Sequence, residues 1–326
     1  MRRLPDDTGS ALTLAQLPRA RLGSFPTPVQ SLEVLAPGLW VKREDLAAEP
    51  LGGNKVRALE FLLGGVGEGD RVVTVGAAGS THALATAIYA RRLGARPLIY
   101  RWRQEMNATA REVVVRLARE VADAPVARTV AGAYARALVA RFRGAHWVPA
   151  GGSSPLGVLG QVEAGRELAR QVAQGLMPAP RRIVLPLGTG GTTAGVALGA
   201  SLGGLDTEVV GVRVVPRLVA NRAHVLRLAN RTARLLCRLT NEPVPPPVPI
   251  RVVHEFYGGA YGRATAAARD AADRCRHLAG ISIDLTYAAK ALAAALSFIE
   301  RDGGTTLFWL SFDGRWLAPT DHRIAL

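Results

Sequence analysis

Apolar residues run in short blocks separated by amphipathic stretches, and this alternation sets the expected elements. Arg71-Val72-Val73-Thr74-Val75 has the pattern of a buried strand. The turn Gly76-Ala77-Ala78-Gly79 follows, and Ser80 is placed to cap a helix rich in Ala and Leu that runs to about Leu93. Gly94 ends that helix, and Pro97-Leu98-Ile99-Tyr100 reads as the next strand, which makes a βαβ unit and a parallel pair. The same order returns later: a strand from Arg182 to Leu187, a loop Gly188-Thr189-Gly190-Gly191-Thr192-Thr193, a helix from Ala194 to about Leu202, and a strand from Glu208 to Val214. Thr109 to Glu120 and Tyr134 to Phe142 read as surface helices, and the proline-rich run Pro243 to Pro249 as a loop ahead of strand Ile250-Arg251-Val252-Val253. No repeat of solenoid period is present. The fold class is therefore α/β, with two parallel-sheet units.

Composition narrows the picture. At 326 residues the chain calls for one large domain or two linked ones, and 48% apolar with 21% charged residues is a globular composition. No apolar stretch reaches the roughly 18 to 20 residues of a membrane span, and Met1 to Asp7 is basic without the apolar run of a secretory signal. A cytoplasmic protein is expected. Cys237 and Cys275 lack metal or redox spacing, which predicts two buried free thiols. His146, His224, His254 and His277 likewise show no ligand spacing, so no metal is expected. The net charge of +15 is spread along the chain and carried almost wholly by Arg, with no basic run interleaved with aromatics. A nucleic-acid partner is not expected.

Against that background the lysines stand out, because there are only three: Lys42, Lys55 and Lys290. Lys55 follows Gly52-Gly53-Asn54 and opens an apolar helical pattern, where the positive end of the helix dipole disfavours its ammonium. A lowered pKa supplies the neutral amine that a Schiff base needs. Lys42 falls in an expected strand and Lys290 in an alanine-rich helix, so Lys55 is the best placed of the three. The loop Gly188 to Thr193, between a strand and a helix, is suited to cradle a phosphate on successive N–H groups. It is neither a Walker loop nor a clean dinucleotide fingerprint, because no Gly-Lys-Ser/Thr follows and Thr193 stands at the third glycine position.

From Ser24 to Leu310 the chain resembles the D-cysteine desulfhydrase and 1-aminocyclopropane-1-carboxylate deaminase family of fold-type-II, tryptophan-synthase-β-like pyridoxal-phosphate enzymes. The most specific block is Val41-Lys42-Arg43-Glu44-Asp45-Leu46 with Gly52-Gly53-Asn54-Lys55-Val56-Arg57. Gly76 to His82, Gly151-Gly152-Ser153-Ser154, the loop at Gly188, Tyr261-Gly262 and Asp284 to Ala291 resemble further blocks in the family's order.

The resemblance implies that pyridoxal 5'-phosphate is held by Lys55 as a Schiff base, with Asn54 and Gly188, Thr189, Gly190, Gly191 and Thr192 holding the cofactor. Ser80, Thr81 and His82 grip the substrate carboxylate, Ser80 doubling as nucleophile or proton relay. Tyr261 and Tyr287 flank the substrate, and Ser311 faces the pyridine nitrogen, where a neutral partner suits elimination over transamination. His82 also reads as a helix-end histidine bonded locally, and Ser153 and Ser154 as caps of a helix near Leu156. Asp284 and Glu163 read as structural. The implied organisation is a large cofactor-binding domain, residues 1–58 and 165–326, and a small substrate-binding domain, 59–164, closing over a cleft. The implied reaction is β-elimination from a small amino acid such as D-cysteine to a 2-oxo acid and ammonia, with aminocyclopropane ring opening second and β-replacement or racemisation on the same scaffold. A homodimer is a family-level expectation. The sequence departs from the family at Gly79, where the family has Gln, at Thr81, at Ala58 and at Ser311-Phe312-Asp313-Gly314. These departures leave open a scaffold that has lost catalysis and binds a partner.

Overall fold

The computed structural model describes residues 16–121 and 124–315, so the N-terminal basic segment Met1 to Asp7 lies outside the described residues. The apolar runs assemble into two sheets. The larger contains β1 (Val29–Ser31), β2 (Leu39–Arg43), β7 (Arg182–Leu187), β8 (Glu208–Arg213), β9 (Ile250–Val253) and β10 (Thr306–Leu310), in the spatial order β1-β2-β10-β7-β8-β9. Only β1 runs antiparallel to its neighbour. The smaller sheet is wholly parallel, with β3 (Arg71–Ala77), β4 (Arg96–Trp102), β5 (Val126–Ala127) and β6 (His146–Trp147) in the order β5-β4-β3-β6.

Parallel strands need both faces covered. Ile183, Leu185 and Leu187 of β7 join one core with Leu307 and Trp309 of β10. The intervening Val184 and Phe308 point into a second core. That alternation is the period-two geometry of a strand. The first face is covered by α5 (Pro155–Ala173), α6 (Gly191–Leu202) and α7 (Arg222–Thr240), the second by α8 (Ala266–Ala279) and α9 (Ala288–Asp302). α1 (Asn54–Leu62), α2 (Thr81–Arg92), α3 (Ala108–Glu120) and α4 (Val130–Phe142) complete the chain. Both expected segment junctions, near 58 and near 165, fall within continuous helices, α1 and α5.

Two features fix where α1 and α6 begin. A Cβ on Gly199 would lie 2.1 Å from the Val162 carbonyl, and one on Gly195 2.3 Å from Gln161 Cβ. Glycine there lets α5 and α6 pack backbone to backbone. Beneath α1 lies a buried ionic network. Arg57 Nε meets Glu44 at 2.7 Å, Arg57 Nη2 meets Glu167 at 2.9 Å, and Lys42 Nζ meets Glu167 at 2.5 Å. Thr27 donates to Glu44 at 2.6 Å and Gln171 accepts from Lys42 at 2.7 Å. Two cations balance two carboxylates, which is the condition for burying them.

The structure corrects two sequence expectations. Helix α6 starts at Gly191, not Ala194: left-handed Gly190 (φ 87°) turns the chain so that Gly191, Thr192 and Thr193 form its first turn. Cys275 is buried but Cys237 is exposed, because it projects from the solvent side of α7. Among the described residues no helix is long and apolar enough to cross a membrane.

Replacing Arg57 by Met leaves Glu44 and Glu167 with one cation between them. The expected loss of stability is about 3–5 kcal/mol, read as a lower midpoint in urea unfolding.

Candidate active site

The carboxyl ends of the parallel strands carry the chemistry-bearing turns, as open parallel sheets do. Three helices begin there. α2 starts after β3, and Ser80 caps it, accepting from Ala83 N–H at 3.3 Å. α6 starts after β7 at the glycine loop. α1 starts at Asn54, whose N–H donates to the Ser311 carbonyl just past β10 at 2.9 Å. All three beginnings face one cavity of about 600 Å³.

Every residue linked from the sequence to the cofactor or the substrate lines this cavity: Asn54, Lys55, Ser80, Thr81, His82, Gly188 to Thr193, Tyr261, Tyr287 and Ser311. Asn54 Nδ2 donates to Thr192 Oγ1 at 2.6 Å, tying the lysine helix directly to the glycine loop. Gln161 Nε2 donates to the Asn54 carbonyl at 2.6 Å from below. Of the three lysines only Lys55 reaches the cavity. Lys42 is spent on Glu167, and Lys290 donates to the Tyr257 carbonyl at 2.6 Å.

Burial depresses the Lys55 pKa to about 8. The cause is loss of water around the ammonium, which acts in the same direction as the helix end. His82 is pushed down to about 3 by burial first and by the Lys55 charge second, so its imidazole is neutral. Its Nε2 lies 3.0 Å from Thr74 Oγ1. The Tyr261 and Tyr287 hydroxyls share a hydrogen bond, with the rings edge to face at 6.1 Å. Burial raises Tyr261 to about 12, and Tyr287 is also raised, by burial and by its neighbour Tyr261. Asp284 sets the position of Tyr287 by accepting from its N–H at 2.6 Å and from Thr286 and Ala288 at 2.9 and 3.1 Å. Glu163 pairs with Arg19 at 2.7 Å.

The glycine loop is braced from outside. Ser153 and Thr189 share a hydrogen bond at 2.6 Å, and His224 Nε2 lies 3.2 Å from the Thr189 carbonyl. Ser154 caps α5, accepting from Gly157 N–H at 3.3 Å. The N–H groups of the first turn of α6 have no intrahelical acceptor. Thr193 belongs to the cavity lining, although its hydroxyl is buried and lacks a hydrogen-bond partner among the described residues. The free N–H groups of this first turn fit a phosphate oxygen.

Two lining features escaped the sequence reading. Gln104 fills the space beside Gly79: its Oε1 accepts from Gly79 N–H at 3.0 Å, and a Cβ on Gly79 would lie 2.4 Å from Ala110 Cβ. A glutamine amide thus reaches the cavity rim from the segment after β4. Trp102, Tyr134 and Val219 add an apolar wall. Nothing local in the sequence marks these residues, since strand pairing and helix packing bring them in.

An amine of lowered pKa, a donor cradle at a helix N-terminus and a cavity between them fit pyridoxal phosphate. The sequence profile of the pyridoxal-phosphate dependent enzymes matches residues 20–311, and the chain belongs to that family. It is 37% identical to nocardicin C-9' epimerase of Nocardia uniformis subsp. tsuyamanensis, over 91% of this chain and 93% of the relative. It is 29% identical to D-cysteine desulfhydrase of Salmonella choleraesuis (strain SC-B67), over 90% and 94%. A crystal structure described as an ACC deaminase homologue superposes with a TM-score of 0.77 at 27% identity, covering 92% of this chain and 93% of that one. The protein is a pyridoxal-phosphate dependent enzyme of fold type II.

Two measurements follow. Added pyridoxal phosphate should generate a visible band that Lys55→Ala abolishes. Because only the neutral amine condenses, the rate of appearance should rise about tenfold per pH unit below the Lys55 pKa and level off above about 8, not 10.5. Thr189→Val should weaken retention of pyridoxal phosphate by roughly tenfold, one charge-assisted hydrogen bond, and leave retention of pyridoxal, which lacks the phosphate, unchanged.

Proposed function

We propose that this enzyme removes the α-proton of a small amino acid and eliminates a β-substituent, giving a 2-oxo acid and ammonia, in the manner of a D-cysteine desulfhydrase. The observation that carries this reading is the juxtaposition of Lys55, of lowered pKa, with the glycine loop through Asn54 and Thr192. Bound pyridoxal phosphate supplies the electron sink that makes a Cα carbanion accessible.

Lys55 would hold the aldehyde end of the cofactor and, as a free amine of lowered pKa, would take the α-proton. Asn54 orients the lysine helix against the loop, and Gly188, Thr189, Gly190, Gly191 and Thr192 hold the phosphate. Ser80 and Thr81, at the start of α2, hold the substrate carboxylate on a helix N-terminus. His82, being neutral, contributes a hydrogen bond and no charge. Tyr261 and Tyr287 stay protonated at neutral pH, so their linked hydroxyls are a proton donor on the substrate side. Ser311, a neutral hydroxyl in the cavity lining, would be the partner of the ring nitrogen. The small domain, 59–164, closes on the large one, 1–58 and 165–326, and excludes water from the carbanion. A cytoplasmic homodimer belongs to the same reading.

Ring opening of 1-aminocyclopropane-1-carboxylate is the alternative on the same scaffold, and the solved ACC deaminase homologue favours it. Its Cα carries no hydrogen, so the reaction would start at a ring CH₂, with Ser80 as nucleophile or proton relay, and break a ring Cα–Cβ bond. Epimerisation is the second reading, favoured by the relative named an epimerase. It needs the tyrosine pair to return the proton that Lys55 removed from the opposite side.

The test is incubation of the cofactor-loaded enzyme with D- and L-amino acids in D₂O. Release of 2-oxo acid supports elimination, and inversion with Cα deuterium supports epimerisation. No deuterium uptake with any substrate defeats both. Tyr261→Phe should lower kcat by roughly 10²- to 10⁴-fold with the cofactor still bound, the size of effect for a positioned acid.

A further inference from the structure

The groups assigned to the cofactor and to the amino-acid head group leave part of the cavity unaccounted for, and that part is apolar. The four-stranded sheet contributes Trp102, at the end of β4, and Val130 and Tyr134, on α4. Trp102 and Tyr134 are stacked, with ring centroids 6.2 Å apart and planes 18° apart. The six-stranded sheet contributes Val215, Pro216 and Val219, from the segment after β8. Val130, Tyr134 and Val219 are 48%, 41% and 40% exposed, so each presents apolar surface at the cavity mouth. Single exposed apolar residues are ordinary, but a group of them from two different sheets around one cavity needs a partner.

Trp102 stands beside the start of α2, where the proposed reading places the substrate's carboxylate. It pairs with Ala77 across β3 and β4, and its carbonyl accepts from Ala78 N–H at 2.9 Å, two residues before Ser80. A thiol on Cβ is too short to cover this wall. An aryl or comparably large alkyl group one atom beyond Cβ extends from Ser80 toward it.

We infer that the substrate is a β-substituted alanine carrying an aryl or large apolar group through sulfur or oxygen, with that group seated between the Trp102–Tyr134 pair and Val219. The inference rests on the proposed α-proton chemistry and enlarges its substrate from cysteine to a cysteine bearing such a group. For the sulfur case the reaction is RSCH₂CH(NH₃⁺)COO⁻ + H₂O → RSH + CH₃COCOO⁻ + NH₄⁺. The Cα–H bond breaks and gives up its proton, the Cβ–S bond breaks with its electron pair going to sulfur, and no oxidant or reductant is consumed. The apolar wall binds the departing group and does not touch the bonds that change.

The test compares S-phenylcysteine with S-methylcysteine, as D and L forms, on the cofactor-loaded enzyme. Binding is read before turnover by stopped-flow absorbance of the cofactor. Covering an aryl group should tighten binding by roughly tenfold or more. Tyr134→Ala and Val219→Ala should each shrink the ratio of the two dissociation constants several-fold. Leu138→Ala, an exposed position on α4 outside the cavity, should leave the ratio unchanged. A ratio near one, or a ratio that survives both cavity substitutions, overturns the inference. Formation of thiophenol, 2-oxo acid or Cα-deuterated amino acid is followed separately. An intact binding preference with none of these products supports the subsite and defeats the proposed reaction, whereas turnover without preference overturns the subsite alone.

Discussion

The site depends on one hydrogen bond between residues 138 positions apart, from Asn54 Nδ2 to Thr192 Oγ1 at 2.6 Å. It joins the first turn of α1 to the first turn of α6. A cofactor gripped by its phosphate at one end and its aldehyde at the other tolerates little variation in the distance between amine and cradle. The hydrogen bond is short enough to fix that distance only because the helices behind it cannot shift. The Arg57–Glu44–Glu167–Lys42 network pins α1 from below, and the glycine-lined contact of α5 with α6 pins the loop.

The electrostatics follow from the same convergence. Three helix beginnings meet at one cavity, and their N–H ends favour negative groups such as phosphate and carboxylate. Arg103 and Glu105 stand in the cavity lining, but the groups gathered around the lysine carry little charge. Lys55 loses its proton more readily than an exposed lysine, His82 is neutral, and both tyrosines keep their protons. The two buried lysines that do not face the cavity, Lys42 and Lys290, are held by a carboxylate and a carbonyl and do not compete with Lys55 for the cofactor.

The departures from the family pattern acquire a physical meaning once the packing is known. Gly79 is not simply a lost glutamine. Ala110 lies too close for a side chain there, and Gln104 brings its amide to the same spot from the next segment. At Gly79 the cavity rim is thus built by a residue from the segment after β4, in a chain similar to proteins whose names denote both an epimerase and a desulfhydrase.

Much of the fold was legible in the linear chain, because the strongest signals are local. The strands Arg182–Leu187 and Ile250–Val253, the Ser80 cap and the glycine loop all follow from residue type and immediate spacing. Helices α7 and α8 were equally written in their apolar spacing, as in Val225, Leu228, Ala229, Thr232, Leu236 and Leu239, but their dense arginine faces obscured it. The choice of Lys55 also came from the sequence, since scarcity and a glycine-flanked helix start left few alternatives. What the sequence by itself determined was the class of chemistry: one amine, one phosphate cradle and alternating strands and helices to carry them. Only the tertiary structure decided which distant residues complete the cavity, namely Gln104, Trp102, Tyr134 and Val219, and how deeply the lysine is buried, which lowers its pKa. Those properties belong to neighbours in space, brought together by sheet order and helix packing that no short stretch of sequence specifies.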